Sequence, residues 1–157
     1  LGDVEEIELP TAFGRAVELH RTIHLADLAK HYARYYEAGS DQLSPRLREM
    51  IEEGQRILAL DYNLAHDWIE ILNATLEEVF ERYDALITPG TSGQAPGIET
   101  TGSPVFCTPW TFCGVPAVSL PLLVGKDDLP IGVQVQVALG STIALAAGGI
   151  ALFNRNE

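Results

Sequence analysis

The chain has 157 residues, 46% of them hydrophobic, and carries 22 acidic against 10 basic side chains for a net charge of -12. That is enough apolar material for the core of one domain, which argues against a disordered tail. The negative charge repels phosphate backbones and anionic lipid, so neither nucleic acid nor a membrane surface is an expected partner. Residues 1–84 hold 18 of the acids and 8 of the bases. A solvated helical part therefore precedes a charge-poor part with the character of a buried sheet.

No secretory pattern opens the chain, because Leu1-Gly2-Asp3-Val4-Glu5-Glu6 is acidic where a signal peptide would be basic. A start at Leu rather than Met is expected of a piece cut from a longer protein. Val4 to Leu9 alternates imperfectly up to Pro10 and reads as a short strand or an extended lead-in segment. From Thr11 to about Glu37, Val17, Leu19, Ile23, Leu25, Leu28 and Tyr32 recur at helical spacings, and Ala38-Gly39-Ser40 supplies a stop. A second helix starts at Ser44-Pro45, an N-cap followed by proline at the first helical position. Its stripe of Ile57, Leu64, Trp68, Ile71, Leu72, Leu76, Val79 and Phe80 predicts an unbroken run to Arg82, antiparallel to the first helix and covering one face of a sheet.

Three short strands are predicted next, at Ala85–Thr88, Ala117–Leu120 and Ile131–Val137. The last alternates Ile131, Val133, Val135 and Val137 with Gly132, Gln134 and Gln136, the two-residue period of a strand whose faces see different surroundings. Between the first two lies a long connection rich in Gly, Thr, Ser and Pro, from Gly90 to Cys113; a connection of that length is usually functional or disordered. Ser141 or Thr142 is placed to cap a last helix through Asn154. Leu129 to Asn154 carries no charge, but Pro130, Gln134, Gln136, the Gly140-Ser141-Thr142 break and Gly148-Gly149 argue for a buried strand and core helix rather than a membrane span.

Cys107 and Cys113 are the two cysteines. They flank a short loop and could in principle bridge, but two cysteines in a chain of this size read as free thiols in a reducing, cytoplasmic compartment. His20, His24, Asp27 and His31 share one helical face. A straight helix spreads them over roughly 16 Å, too far for one ion, so a polar face or subunit contact is expected and no metal. Gly90, Gly93 and Gly97 suggest a phosphate loop only weakly, since no Lys-Ser/Thr follows. Lys30 sits on a solvent-patterned helix, and Lys126 sits beside Asp127 and Asp128, whose carboxylates keep it charged and a poor base. Ser92, Ser103, Ser119 and Ser141 have no glycine-rich context. No catalytic residue is assigned within the chain.

Three stretches in order, Asp84-Ala85-Leu86-Ile87-Thr88-Pro89, Trp110-Thr111-Phe112-Cys113-Gly114-Val115-Pro116-Ala117 and Leu129-Pro130-Ile131-Gly132-Val133-Gln134, resemble the C-terminal part of amidase-signature hydrolases, as do Gly54 and Asp61-Tyr62-x-x-Ala65 upstream. The resemblance covers nearly the whole chain and fades after Gln136. It implies an α/β fold, the C-terminal part of the amidase-signature fold, with long helices packed on a mixed β-sheet. Residues 1–157 would be one segment of a single amidase domain, 1–84 mainly helical and 85–157 carrying strands, pocket loop and terminal helix. The implied reaction is hydrolysis of a carbon–nitrogen bond in a small non-peptide amide by a Ser-Ser-Lys relay. The glycine-rich Ser signature and its Lys do not occur between Leu1 and Glu157, so the segment alone is expected to be inactive.

By the same resemblance the Thr108–Cys113 loop and the stretch after Thr88 lie beside the substrate. Thr88, Thr108, Trp110, Thr111 and Cys113 are thus the substrate-binding candidates. Trp110 offers a large apolar surface with one donor, and either grips substrate or packs under the loop. No cofactor is implied. The expected partners are a small-molecule amide, the upstream half of the same protein and further copies of the chain. Rivals to the amidase reading are a glutamine-dependent amidotransferase A-type subunit and a non-catalytic helical interaction module.

Overall fold

A computed structural model describes residues 4–138; the last helix expected through Asn154 lies outside the described residues. Val4 to Leu9 forms no regular element and serves as a lead-in. Past Pro10 a single 3-10 turn, Thr11–Arg15, opens directly into α1, Ala16–Gly39. Ser44 caps α2, Pro45–Gly54: its side chain accepts from the Leu47 amide at 3.2 Å, with Pro45 at the first position.

The expected unbroken second helix is in fact two, α2 and α3, Ala59–Phe80, with Leu58 extended between them at φ -74 and ψ 146. Gly54 carries the reason. A Cβ there would lie 2.0 Å from the Leu25 carbonyl oxygen and 2.9 Å from Ala29 Cβ, so α2 touches α1 backbone to backbone. The chain must leave that contact before a new helix can start at its own angle against α1. Leu64 and Ile71, read as part of the apolar stripe, are exposed, whereas Ala65, Leu72 and Leu76 face the core.

β1, Leu86–Pro89, β2, Ala117–Val124, and β3, Pro130–Gln136, form a sheet in the order β1-β3-β2. Both pairings are antiparallel, aligning Leu86 with Gln136 and Ala117, and Thr88 with Gln134 and Ser119. β2 runs past its expected end at Leu120 because the hairpin with β3 resumes beyond a register shift between Leu120 and Leu123. Pro121 is tolerated there because β2 is an edge strand among the described residues, where a missing amide proton need cost no ladder bond. The tail of the predicted irregular connection is also ordered. Thr108–Cys113 forms a short helix, α4, with Pro109 in its first turn and Gly114 closing it in the left-handed region at φ 66. At six residues it is too short to show a period in the sequence.

The core joins Phe13, Leu19, Leu72, Leu76, Leu86 and Phe112, with Trp110 and Cys113 among them, so every helix but α2 meets at the α4 side of the sheet. Among the described residues no helix is long and apolar enough to cross a membrane.

Candidate functional site

Strand alternation divides the sheet into two unlike faces. Leu86, Thr88, Ala117, Ser119, Gly132, Gln134 and Gln136 share one; Ile87, Pro89, Val118, Leu120, Val133 and Val135 share the other. α4 and the turn before it pack on the first, where Gln136 is fully buried. Trp110 Nε1 lies 3.1 Å from one end of the Gln136 carboxamide, as Thr88 Oγ1 does at 3.0 Å, and the Leu86 carbonyl oxygen lies 3.0 Å from the other end. An indole N–H can only donate and a carbonyl can only accept, so the carboxamide oxygen faces Trp110 and Thr88 while its nitrogen donates to Leu86. The two ends of the Gln134 carboxamide lie 3.1 Å from Gln136 and 3.1 Å from Cys107 Sγ. Cys107 Sγ in turn lies 3.4 Å from the Gly90 carbonyl.

Trp110 is 4% exposed and packs against Phe13 at 6.4 Å between ring centroids. Its edge also lines a cavity of about 240 Å³ together with Thr88, Tyr83, Ala85, Ile87 and the lead-in residues Glu5 and Glu6. Trp110 is therefore both core residue and cavity wall. Of the five substrate-binding candidates, Thr88 and Trp110 meet at this cavity; Thr108, Thr111 and Cys113 are not among its lining residues. Thr108 is buried and donates its hydroxyl to the Pro104 carbonyl at 2.9 Å. Thr111 is exposed on α4. Cys113 is buried, and burial pushes its thiol up to about 11, so it stays protonated and a poor nucleophile near neutral pH. Both cysteines are free thiols.

The polar helix face is shared among separate contacts. His20 stacks on His24 at 5.8 Å and meets Phe112 edge-on at 6.4 Å. Burial, and then the neighbouring His24, lower its pKa. Asp27 accepts from the Tyr62 hydroxyl at 3.0 Å. Lys30 and Lys126 are exposed, and neither is hydrogen-bonded to a serine among the described residues.

Sequence reasoning did not single out Gln134 and Gln136 as site residues. The signal was present: two amides on the same side of a strand whose other side is wholly apolar.

The amidase family model matches residues 7–140. AmiD of Mycobacterium tuberculosis is 29% identical over 114 residues, covering 66% of this chain and 24% of its own. The A-type subunit of the glutamyl-tRNA(Gln) amidotransferase from Halothermothrix orenii is 27% identical over 163 residues, covering 84% of this chain and 34% of that protein. A crystal structure of an amidase superposes with a TM-score of 0.80 at 25% identity, covering 89% of this chain and 35% of the other. The chain thus spans between 24% and 35% of the length of these relatives.

Proposed function

The chain belongs to the amidase family, and we propose that it is the C-terminal segment of an enzyme that hydrolyses a carbon–nitrogen bond in a small non-peptide amide. In the reaction proposed, an uncharged Lys takes a proton through a bridging Ser. A second Ser attacks the amide carbon while backbone N–H groups hold the oxyanion; the carbon–nitrogen bond then breaks, the amine leaving with the proton handed back from the Lys, and water cleaves the acyl-enzyme to the acid and free Ser. Those groups would come from upstream of this segment, whose own part is the wall of the pocket. The observation that carries this reading is the cavity edged by Trp110 and Thr88, with both side chains tied to one buried amide. An apolar surface with a few fixed polar groups is what grips an organic amide. The upstream part of the same protein is the proposed occupant of the apolar sheet face, since the relatives are about two and a half to three times as long as this chain. A cytoplasmic location is part of the same proposal.

The test is a panel of aliphatic and aromatic amides offered to the complete protein and to the 157-residue chain alone. Turnover is expected from the complete protein only. Hydrolysis by the isolated chain, abolished by changing a single serine within it, would overturn the assignment.

A second reading, the A-type subunit of a glutamine-dependent amidotransferase, draws support from the Halothermothrix orenii relative. Against it, among the described residues the cavity beside Thr88 is lined by Glu5 and Glu6 and by no arginine. The α-carboxylate of glutamine would find like charge there rather than a partner. Glutamine-dependent ammonia release by the complete protein, without hydrolysis of simple amides, would decide for this second reading.

A further inference from the structure

We propose that Gln136 is a positioning residue for the substrate wall: its carboxamide holds the Trp110 indole and the Thr88 hydroxyl in fixed orientation, and so sets which amides the cavity selects. The proposal rests on the reading of that cavity as the substrate pocket.

Three observations carry it. Gln136 is fully buried, and a carboxamide in that position costs free energy unless each of its polar atoms is paired. Here they are paired, and the partners belong to different elements: Leu86 and Thr88 in β1, and Trp110 in α4. Both side chains that Gln136 bonds line the cavity. Trp110 is otherwise held by apolar contacts, Phe13 among them, which set its depth but not its rotation about the ring axis. A hydrogen bond from Nε1 removes that freedom, because the indole has a single donor. A leucine at 136 would fill nearly the same volume while leaving the indole N–H and the Leu86 carbonyl to find other partners. A glutamic acid offers a sharper comparison. When neutral it reproduces the pattern, its carbonyl accepting from Trp110 and Thr88 and its O–H donating to Leu86. When ionised it sets a charge against the Leu86 carbonyl. Burial raises a carboxyl above its usual range, so the neutral form should persist in mildly acidic solution and be lost as pH rises.

The experiment has two arms. In the 157-residue chain, the indole N–H of Trp110 is followed by nitrogen-15 NMR, with Trp68→Phe to assign it. The expected result is a downfield resonance in the native chain and an upfield shift in Gln136→Leu. In Gln136→Glu the native position should hold at low pH and move further downfield, away from the leucine variant, as pH rises and the carboxylate accepts the indole N–H more strongly. In the complete protein, Gln136→Leu should change the ratio of kcat/KM for a bulky aromatic amide over a short aliphatic one by about tenfold, with kcat for the better substrate little affected. An indole resonance unmoved in both variants would overturn the positioning role. So would an equal fall in kcat/KM for every amide that tracks a fall in Tm. If the wild-type complete protein hydrolyses no amide, the substrate part falls together with the proposed function, while the NMR arm still decides whether Gln136 holds Trp110.

Discussion

The two faces of the sheet differ in a way opposite to the usual half-buried sheet. The face that carries Thr88, Gln134 and Gln136 is the one closed by α4, while the face built from Ile87, Val118, Leu120, Val133 and Val135 is apolar throughout. Ile87 remains 61% exposed on it and Leu123, beyond the register shift, 54%. Ordinarily the apolar side of a sheet is buried and the polar side wet. The reversal has a physical reading. Gln136 is tolerated inside because Leu86, Thr88 and the α4 indole pair with its carboxamide, and the partly exposed apolar side is the face proposed above to receive the upstream part of the same protein.

The largest effect should come from the closed face. Trp110→Ala removes a large side chain from the core and is expected to cost roughly 3–5 kcal/mol, read by urea denaturation. In the complete protein it should also shift the preference between aromatic and aliphatic amides. Trp110→Phe separates the two roles, keeping most of the packing while deleting the N–H. A change in substrate preference with only a small change in Tm would assign the preference to the hydrogen bond. Loss of activity toward all amides in step with Tm would leave Trp110 as packing alone.

The open face should behave the other way round. Ile87→Lys is expected to change the stability of the chain by less than about 0.5 kcal/mol, because Ile87 is already exposed. The same change should weaken self-association, seen by light scattering at micromolar protein, and weaken binding to a separately expressed upstream half. A monodisperse, cooperative monomer indifferent to that half, in the unsubstituted chain, would break the comparison and favour an interaction module.

Smaller effects test the closure of the α4 side. Cys113, held protonated by burial, should resist alkylation near pH 8, whereas half-buried Cys107 should react first. The raised folded-state value also has a sign in stability. Cys113 favours the fold below its ordinary thiol range, near 9, and that contribution is lost as pH climbs toward about 11, because the unfolded chain ionises first. Cys113→Ala should flatten that part of the Tm profile. The smallest effect is expected of Thr111→Ala, whose side chain is exposed on α4: stability within about 0.5 kcal/mol, measured by thermal melting. A larger loss would mean that α4 packs differently from the arrangement described.

Much of this molecule was legible from local rules. The Ser44-Pro45 start is a hydrogen-bond acceptor beside a residue that needs no donor, a pattern that holds wherever it occurs. The alternation from Ile131 to Gln136 similarly announced a strand with unlike faces, and the three motifs carried the family. The divide between α2 and α3 was not legible, since it depends on Gly54 lying against Leu25, 29 residues away in sequence. Nor was α4, which is too short to repeat.

The chemical character of every position on the sheet was thus determined by sequence alone, because side chains alternate along a strand whatever surrounds it. Which side would be closed was decided only by tertiary structure. That depended on where α4 came to rest, and it rests where the Trp110 indole and the Gln136 amide each supply what the other lacks.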